Sequence, residues 1–529
     1  MKKSIIIFVL MIFLFSSCGR SSNENEALST PDIPEEMNNA ETTQPQESGS
    51  AALGTVSEAN VSCAAFSPTD GSEIAEQFPS IEQYQPLQDE IEEISSGIWV
   101  NYVYANMDGW KEDIIQFRNH VFAWHPKFVD SEVNTLARNI EIGIAFDEHI
   151  NHLLESVPYI TEFEIKAELQ RSLALFQDNH LIFGAGAQQR AETFLYNLRR
   201  NRYPVEFGWF SDGFYLYRTA EDENLTNVLN HRLIAINDIP IQDILFEFGH
   251  FMSVENIYDA RHQFARDLNI PGILQALNVC DGQQTTYTFV NQYNEAISVT
   301  MPDPLPAVLN ISTYWLPHVF PIPLIYSRNA GDLPFFLQNA YSAHWHTFIE
   351  EYGVLYIRIN GYFAWYNQEI IADLIEQINE KGSSIRAAVV DARNNPGGAT
   401  LFYHDLFNAL ANAVPQDKLF YFMNEGSISA ALLGGGYLYE LGATIVGQPS
   451  GQQTDFYGFY GSLPFPMWNL IMQNSNFHLA VPNNFHTIRN NGVVAPDLTF
   501  RPHVLIEYTI ENWVNNYDPY LEYVLGLLR

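Results

Sequence analysis

Basic residues are scarce in this 529-residue chain: 26 lysines and arginines face 62 aspartates and glutamates, a formal net charge of −36. A surface that acidic repels phosphate backbones, so no nucleic acid is expected among its partners. Cysteine is scarcer still, with only Cys18, Cys63 and Cys280. Three cysteines exclude a disulfide framework; Cys63 and Cys280 can pair in an oxidising compartment or stand as two buried thiols. Past the N-terminus no uninterrupted run of 18 apolar residues occurs, so no spanning helix is expected there. A phosphate-cradling loop and a heptad array are also missing. The pairs His149-x-x-His152 and His344-x-His346 lack a third ligand and a catalytic acid nearby, so neither metal nor other cofactor is expected.

What the chain does have begins with Met1-Lys-Lys3, an apolar run from Ile5 to Phe15, then Ser16-Ser17-Cys18-Gly19. A basic start, a short apolar stretch and small residues before a cleavage point read as a secretory signal peptide over residues 1–17. The cysteine after Ser-Ser resembles a bacterial lipobox, which implies that Cys18 is lipidated and becomes the first mature residue. The alternative is an ordinary signal peptide cut nearby. Each buried CH₂ contributes about 0.8 kcal/mol, so several acyl chains anchor stably. The expected location is the bacterial cell envelope, lipid-anchored and facing the periplasm or the exterior. Residues 18–62 are rich in Ser, Asn, Glu, Thr and Pro without an apolar period, the composition of a disordered tether.

The rest divides by pattern. Residues 63–185 read as a helical domain with Trp110, Phe117, Phe122 and Trp124 in its core. Residues 186–302 are richer in strand signals, and 303–350 form a Pro-rich connector. From 351 to 529, short apolar runs at 354–359, 385–391 and 418–423 alternate with amphipathic stretches at Gln368–Glu380 and Leu401–Ala413. That alternation predicts βαβ units and an α/β fold with a largely parallel sheet. Ligands of such sheets bind at the carboxyl ends of neighbouring strands.

Two glycine-rich turns fall there. Asn424-Glu-Gly-Ser-Ile-Ser-Ala430 hands a strand to the run Ala430–Leu441, and Gly442 stands where a helix stops. A serine at that N-terminus sits among unpaired amides that can hold an oxyanion; losing one such donor costs about 3–4 kcal/mol of barrier. By itself the turn favours Ser427 or Ser429 as a plain N-cap, the commonest place for serine there. Asp391-Ala-Arg-Asn-Asn-Pro-Gly-Gly398 is the other turn, whose glycines allow close backbone approach and positive φ.

Together these elements resemble the C-terminal-processing (tail-specific) serine peptidases, tricorn-like branch included. VVDARNNPGG (389–398), NEGSISA (424–430), IVGQPSG (445–451) and GVVAPD (492–497) match four family elements in order. The resemblance implies a crotonase-like peptidase core, preceded by the helical domain and a PDZ-like domain. Arg232-Leu-Ile-Ala-Ile-Asn-Asp-Ile-Pro-Ile241 is similar to the PDZ strand-turn, although the carboxylate-binding Gly-Leu-Gly-Phe loop is missing. Ser429 is implied as nucleophile, with the amides of Ala430 and Gly397 as oxyanion hole and peptides or unfolded proteins as substrates. One branch uses a lysine about 25 residues after the serine. Here Gln452 and Gln453 stand in its place and the last lysine is Lys418, which excludes that dyad. The other branch takes a histidine from the end of an upstream helix. Here the helix begins at the capping box Thr161-Glu-Phe-Glu164, carries Ile165, Leu169, Leu173 and Phe176 on one face, and breaks at Gln177-Asp178-Asn179-His180. His180 is the implied general base; without the resemblance it reads as a helix C-cap. A separation beyond about 6 Å from Ser429 Oγ would weaken the pairing. The usual acidic residue is missing from Ile488-Arg489-Asn490-Asn491, so Asp455 or the groups around Asn484 are candidates to orient His180. Ser450 is a competing nucleophile without a glycine-led elbow around it. The alternative to a peptidase is an inactive, peptidase-like lipoprotein that binds peptides or protein partners.

Overall fold

The computed structural model describes residues 107–183, 198–199, 201–280, 284–306, 322–340, 342–362, 368–458, 469–475, 477–488 and 493–529. The signal peptide, Cys18, the tether, Cys63 and residues 489–492 lie outside them. Cys280 is a free thiol, directed at the Pro271 carbonyl at 3.6 Å.

Among the described residues three long helices come first, with a single turn of helix at Pro126–Val129 between the first two. Helix α1 (Met107–Trp124) buries Trp110, Ile114, Phe117 and Val121, α2 (Ala137–Ser156) buries Ile140, Gly143, Phe146, Ile150 and Leu153, and α3 (Glu162–Ala174) buries Ile165, Leu169 and Leu173. Each set repeats every three to four residues, the stripe an amphipathic helix needs. The Thr161–Glu164 capping box starts α3. After it come a short strand, β1 (Ile182–Phe183), then β2 (Val205–Phe210), β3 (Gly213–Ala220) and β4 (Arg232–Ile236). Asn237 and Asp238 both take positive φ, 48° and 64°, the two-residue turn in which Asn and Asp are tolerated. Helices α4 (Ile241–Phe251) and α5 (Ile257–Asp267) and strands β5 (Thr286–Val290) and β6 (Ala296–Thr300) follow. With β7 (Leu324–Tyr326) they form an antiparallel sheet in the order β7-β3-β4-β5-β6, with β2 on β3.

The second sheet is parallel through β9 (Val354–Ile359), β10 (Ala387–Asp391), β11 (Leu419–Met423) and β12 (Thr444–Gly447), with Val504–Leu505 parallel at one edge. At the other edge β8 (His344–Ile349) runs antiparallel to β9. Both faces are covered, as parallel sheets require. Leu355, Ile357, Val390 and Tyr421 pack towards α6 (Gln368–Lys381), α7 (His404–Ala413) and α8 (Ala430–Glu440); Tyr356, Val389 and Phe422 pack on α9 (Pro519–Gly526). The mixed helix-and-sheet architecture is α/β.

The packing redraws three expected boundaries. One continuous core joins α1–α3 to the antiparallel sheet across residue 185. The expected connector 303–350 supplies β7 and β8, an edge strand to each sheet; an edge strand needs only one partner, so its sequence is weakly marked. Within 351–529, strands β14 (Asn469–Ile471) and β15 (His478–Ala480) leave the parallel sheet and pair with β1, burying Leu470, Phe477 and Leu479 in the N-terminal core.

Candidate active site

The two glycine-rich turns leave adjacent parallel strands, β10 and β11, and hydrogen bonds sew them together. Asn394 N–H donates to Asn424 Oδ1 at 2.7 Å and Asn424 Nδ2 returns a bond to Asn394 Oδ1 at 2.9 Å. Ser427 Oγ donates to the Ala392 carbonyl at 2.8 Å, so Ser427 is a staple between the turns. Beneath them Asp391 is fully buried among Arg358 (2.9 Å), Arg393 and Tyr356 Oη (2.6 Å), and Arg393 also grips Asp518 at 2.8 and 3.0 Å. Asp391 and Arg393 of the quoted motif therefore build the floor of the turn.

Ser429 heads α8 with φ 56° and ψ −122°, a conformation that costs a residue with a side chain on the order of 1–3 kcal/mol. Its side chain makes no capping bond. Instead Oγ lies 3.2 Å from His180 Nε2, although the residues are 249 positions apart. Gly397 fits against it because a Cβ there would come 2.6 Å from Ser429 Cβ. Helix α8 runs on through Gly434-Gly435-Gly436, where a Cβ on Gly434 would meet Tyr362 Oη at 2.4 Å, so the helix packs closely on Tyr362 there.

His180 is held from its own segment. Gln177 takes φ 47° to break α3, Asp178 Oδ1 accepts the His180 amide at 2.9 Å, and β1 is pinned to β15 two residues later. The ring stacks on Phe456 at 6.0 Å. Burial lowers its pKa below the usual imidazole range, and the Asp178 charge partly offsets that. Of the expected orienting groups, Asp455 accepts from Thr487 Oγ1 at 2.5 Å and Asn484 pairs with His486 at 3.2 Å, while His486 itself stacks on the same Phe456 as His180. The carboxylates beside His180 are Asp178, with Oδ1 3.9 Å from Nδ1, and Glu255. Burial pushes Asp178 up, but the hydrogen bond and charge of His125, with His180 and Lys127, bring it below the usual carboxylate range. His125 Nδ1 accepts the Lys127 amide at 3.1 Å, which leaves its proton on Nε2, directed at Asp178 Oδ2 at 3.1 Å.

Gln452 is the hub that sequence reading passed over. Its Oε1 accepts the Ser429 amide, and its Nε2 lies 3.0 Å from Glu255 Oε1, 3.1 Å from Asn179 Oδ1 and 3.4 Å from His180 Nδ1. The sequence had singled out Gln452 only together with Gln453, as the residues in place of the lysine that the resemblance implies. Glu255 sits between α4 and α5 and had no signal.

The expected oxyanion donors divide. The Ala430 amide enters no hydrogen bond among the described residues, whereas the Gly397 amide donates to Asn395 Oδ1 at 2.8 Å. Ser450 is buried and donates to the Ser427 carbonyl at 2.7 Å, a structural bond rather than a nucleophile's position. His149 engages Glu168, His346 meets Gln377 and His344 meets Tyr403. Asp178, His180 and Glu255 bring potential metal-ligand atoms within 4.8 Å of one another, with the Gln452 amide nitrogen among them.

No protein-family model and no curated protein matches the chain. Among solved structures, mature CPAF complexed with lactacystin is similar over 80% of this chain and 97% of its own, at 12% identity and TM-score 0.45. The photosystem II D1 C-terminal processing protease is similar over 79% and 97%, at 10% identity and TM-score 0.35. A putative S41 protease from Bacteroides fragilis NCTC 9343 is similar over 81% and 98%, at 11% identity and TM-score 0.33. At such values the reading of the site rests on its own geometry.

Proposed function

We propose that the chain is a serine-type endopeptidase, held at the bacterial envelope through a lipidated Cys18, that hydrolyses peptides or unfolded proteins. The observation that carries this is the 3.2 Å approach of His180 Nε2 to Ser429 Oγ at the head of α8. Ser429 Oγ attacks the peptide carbonyl carbon while His180 takes its proton. The imidazolium then protonates the leaving amine, and water, deprotonated by the same ring, releases the acyl group from Ser429. The Ala430 amide stabilises the oxyanion. Gly397 is the second donor once Asn395 releases it, and Asp178 is the carboxylate that steadies the imidazolium. The scheme calls for no metal and no nucleic acid.

The Gly397–Asn395 bond favours a second reading, an inactive lipoprotein that binds peptides in the same crevice. Intact-mass labelling of the purified full chain with a fluorophosphonate separates the two. One adduct on the parent, lost in Ser429→Ala and slowed at least about 10⁴-fold in His180→Ala, is the expected result. A folded parent that takes no adduct sinks the peptidase.

A further inference from the structure

We propose that His125 is a positioning residue of the site: its neutral ring aims the Asp178 carboxylate at His180 without cancelling its charge. This rests on the peptidase reading and extends it by one residue, into the N-terminal helices.

His125 stands between α1 and the helical turn Pro126–Val129, and its two ring nitrogens do separate things. Nδ1 accepts the Lys127 amide at 3.1 Å and so caps that turn. A backbone amide can only donate, so Nδ1 carries no proton, the ring is neutral and Nε2 is the donor. Nε2 lies 3.1 Å from Asp178 Oδ2, with both side chains fully buried. The rings of Phe176, Tyr457 and Phe128 wall the imidazole at 4.9, 5.2 and 6.0 Å.

The backbone of Asp178 is held by Ser253, whose Oγ accepts its amide at 3.1 Å and donates to its carbonyl at 2.7 Å. Those bonds place the residue but leave its carboxylate free to turn. Two donors set the turn. The His180 amide binds Oδ1 at 2.9 Å and His125 Nε2–H binds Oδ2, which keeps Oδ1 on the His180 side, 3.9 Å from Nδ1. Among the described residues no other donor reaches Oδ2. Without His125 that buried oxygen loses its partner, and the carboxylate turns or takes a proton. Either change withdraws its charge from His180. The neutrality of the donor matters as much as its place. Arg358 and Arg393 match the charge of Asp391, whereas His125 bonds Asp178 and leaves it negative for the imidazolium formed during attack. The other ionisable groups around this chain of contacts are Lys127 over the Tyr457 ring, Glu255 beside Asp178, and His486 across Phe456 from His180.

Substitution separates the two nitrogens. His125→Asn keeps an acceptor at the Nδ1 position for the Lys127 amide and removes the donor to Asp178. His125→Gln keeps a neutral N–H at the Nε2 position and removes the cap. Fluorophosphonate labelling of Ser429 in the full chain should be about 10- to 100-fold slower in His125→Asn, the span for one hydrogen bond to a charged group, and close to the parent in His125→Gln. Ring ¹⁵N shifts of the chain carrying ¹⁵N-histidine, assigned with His180→Ala, follow the His180 titration without any activity. It should move to lower pH in His125→Asn, where the Asp178 charge no longer raises the ring, and stay in place in His125→Gln. On an Asp178→Asn background His125→Asn should slow labelling no further, because the carboxylate it acts through is gone. The reverse ranking, equal effects of the two variants, or additive slowing on that background would make His125 a cap and packing residue and overturn the proposal. A parent whose His125 ring carries its proton on Nδ1 overturns it too, with no variant needed. A parent that takes no label, while the His180 titration separates the two variants as stated, leaves the positioning role standing and defeats the peptidase reading instead.

Discussion

Asp391 and Glu255 are both carboxylates with almost no solvent exposure, 0% and 4%, yet they sit at opposite ends of the acid scale. Burial pushes both up. At Asp391 the charges of Arg393 and Arg358, with hydrogen bonds from Arg393 and Tyr356, overcome it and hold the pKa at about 2. At Glu255 the Asp178 charge adds to burial, and the bonds from Gln452 and Gln453 come from neutral amides, so the carboxyl stays far above the usual range. Its neighbour Asp259 is raised to about 6 by the same burial. The partner's formal charge decides the outcome, not depth. The network under the turns matches Asp391 and Asp518 with Arg358 and Arg393 and is structural. The network behind His180 is acidic and amide-linked, with a single lysine, Lys127, itself lowered by burial to about 7. It leaves groups free to change protonation near neutral pH.

The largest expected effect breaks the matched network. Asp391→Asn keeps the shape but leaves Arg393 with Asp518 and Arg358 without its carboxylate, an uncompensated buried charge that costs about 3–5 kcal/mol. Chemical denaturation at pH 7 measures it, and a loss below about 1 kcal/mol would show that the charges there are not coupled. The pH sign follows from a depressed carboxylate. Its contribution is complete above the unfolded value of 3.8 and fades as pH falls towards about 2, so the parent should show an acid limb that Asp391→Asn lacks.

Glu255→Gln should do far less. The folded parent retains a proton on Glu255 that the unfolded chain gives up above about pH 4.5, so this group costs stability as pH rises through that value. A glutamine carries no such cost. At pH 5 the variant and parent should agree within about 1 kcal/mol, an ordinary figure for replacing one neutral hydrogen-bonding group by another. The variant should gain on the parent towards pH 8. Equal destabilisation to Asp391→Asn at pH 8 would mean that Glu255 is ionised and the contrast false.

The same contrast explains what could be read from the chain. The parallel strands were legible because both faces are buried: 354–359, 387–391 and 419–423 are continuous apolar runs, and α8 starts and stops where Ala430 and Gly442 place it. The capping box at Thr161 was legible from local chemistry, the Asn237-Asp238 turn only through a resemblance. Ser429 and His180 were legible as candidates only beside a family pattern, since one contact between distant segments leaves no periodic trace. Asp455 and Asn484 went wrong because polar residues on a small two-stranded sheet, β13 (Asp455–Gly458) with β16 (Asn484–Thr487), satisfy one another: Asp455 bonds across it to Thr487 and Asn484 along its own strand to His486. Glu255 carries no local signature at all. Its role comes from lying 197 and 198 positions from the two glutamines that bind it.

The smallest effect is the sharpest probe of the acidic network. Desolvation lowers the His180 pKa from 6.5 and Asp178 only partly restores it, so the acid limb of Ser429 labelling should have its midpoint below 6.5. Asp178→Asn removes a charge that raises the ring. The limb should then move further down, because a histidine without an anionic neighbour holds its proton less tightly. Labelling above that limb should also slow, since the imidazolium formed during attack loses its carboxylate. Two opposite readouts from one substitution distinguish an electrostatic partner from a residue that merely shapes the turn, which would slow labelling at every pH without moving the limb. A midpoint above 7 in the parent would place the ring in a stronger negative field than Asp178 at 3.9 Å provides, with Glu255 ionised as the source.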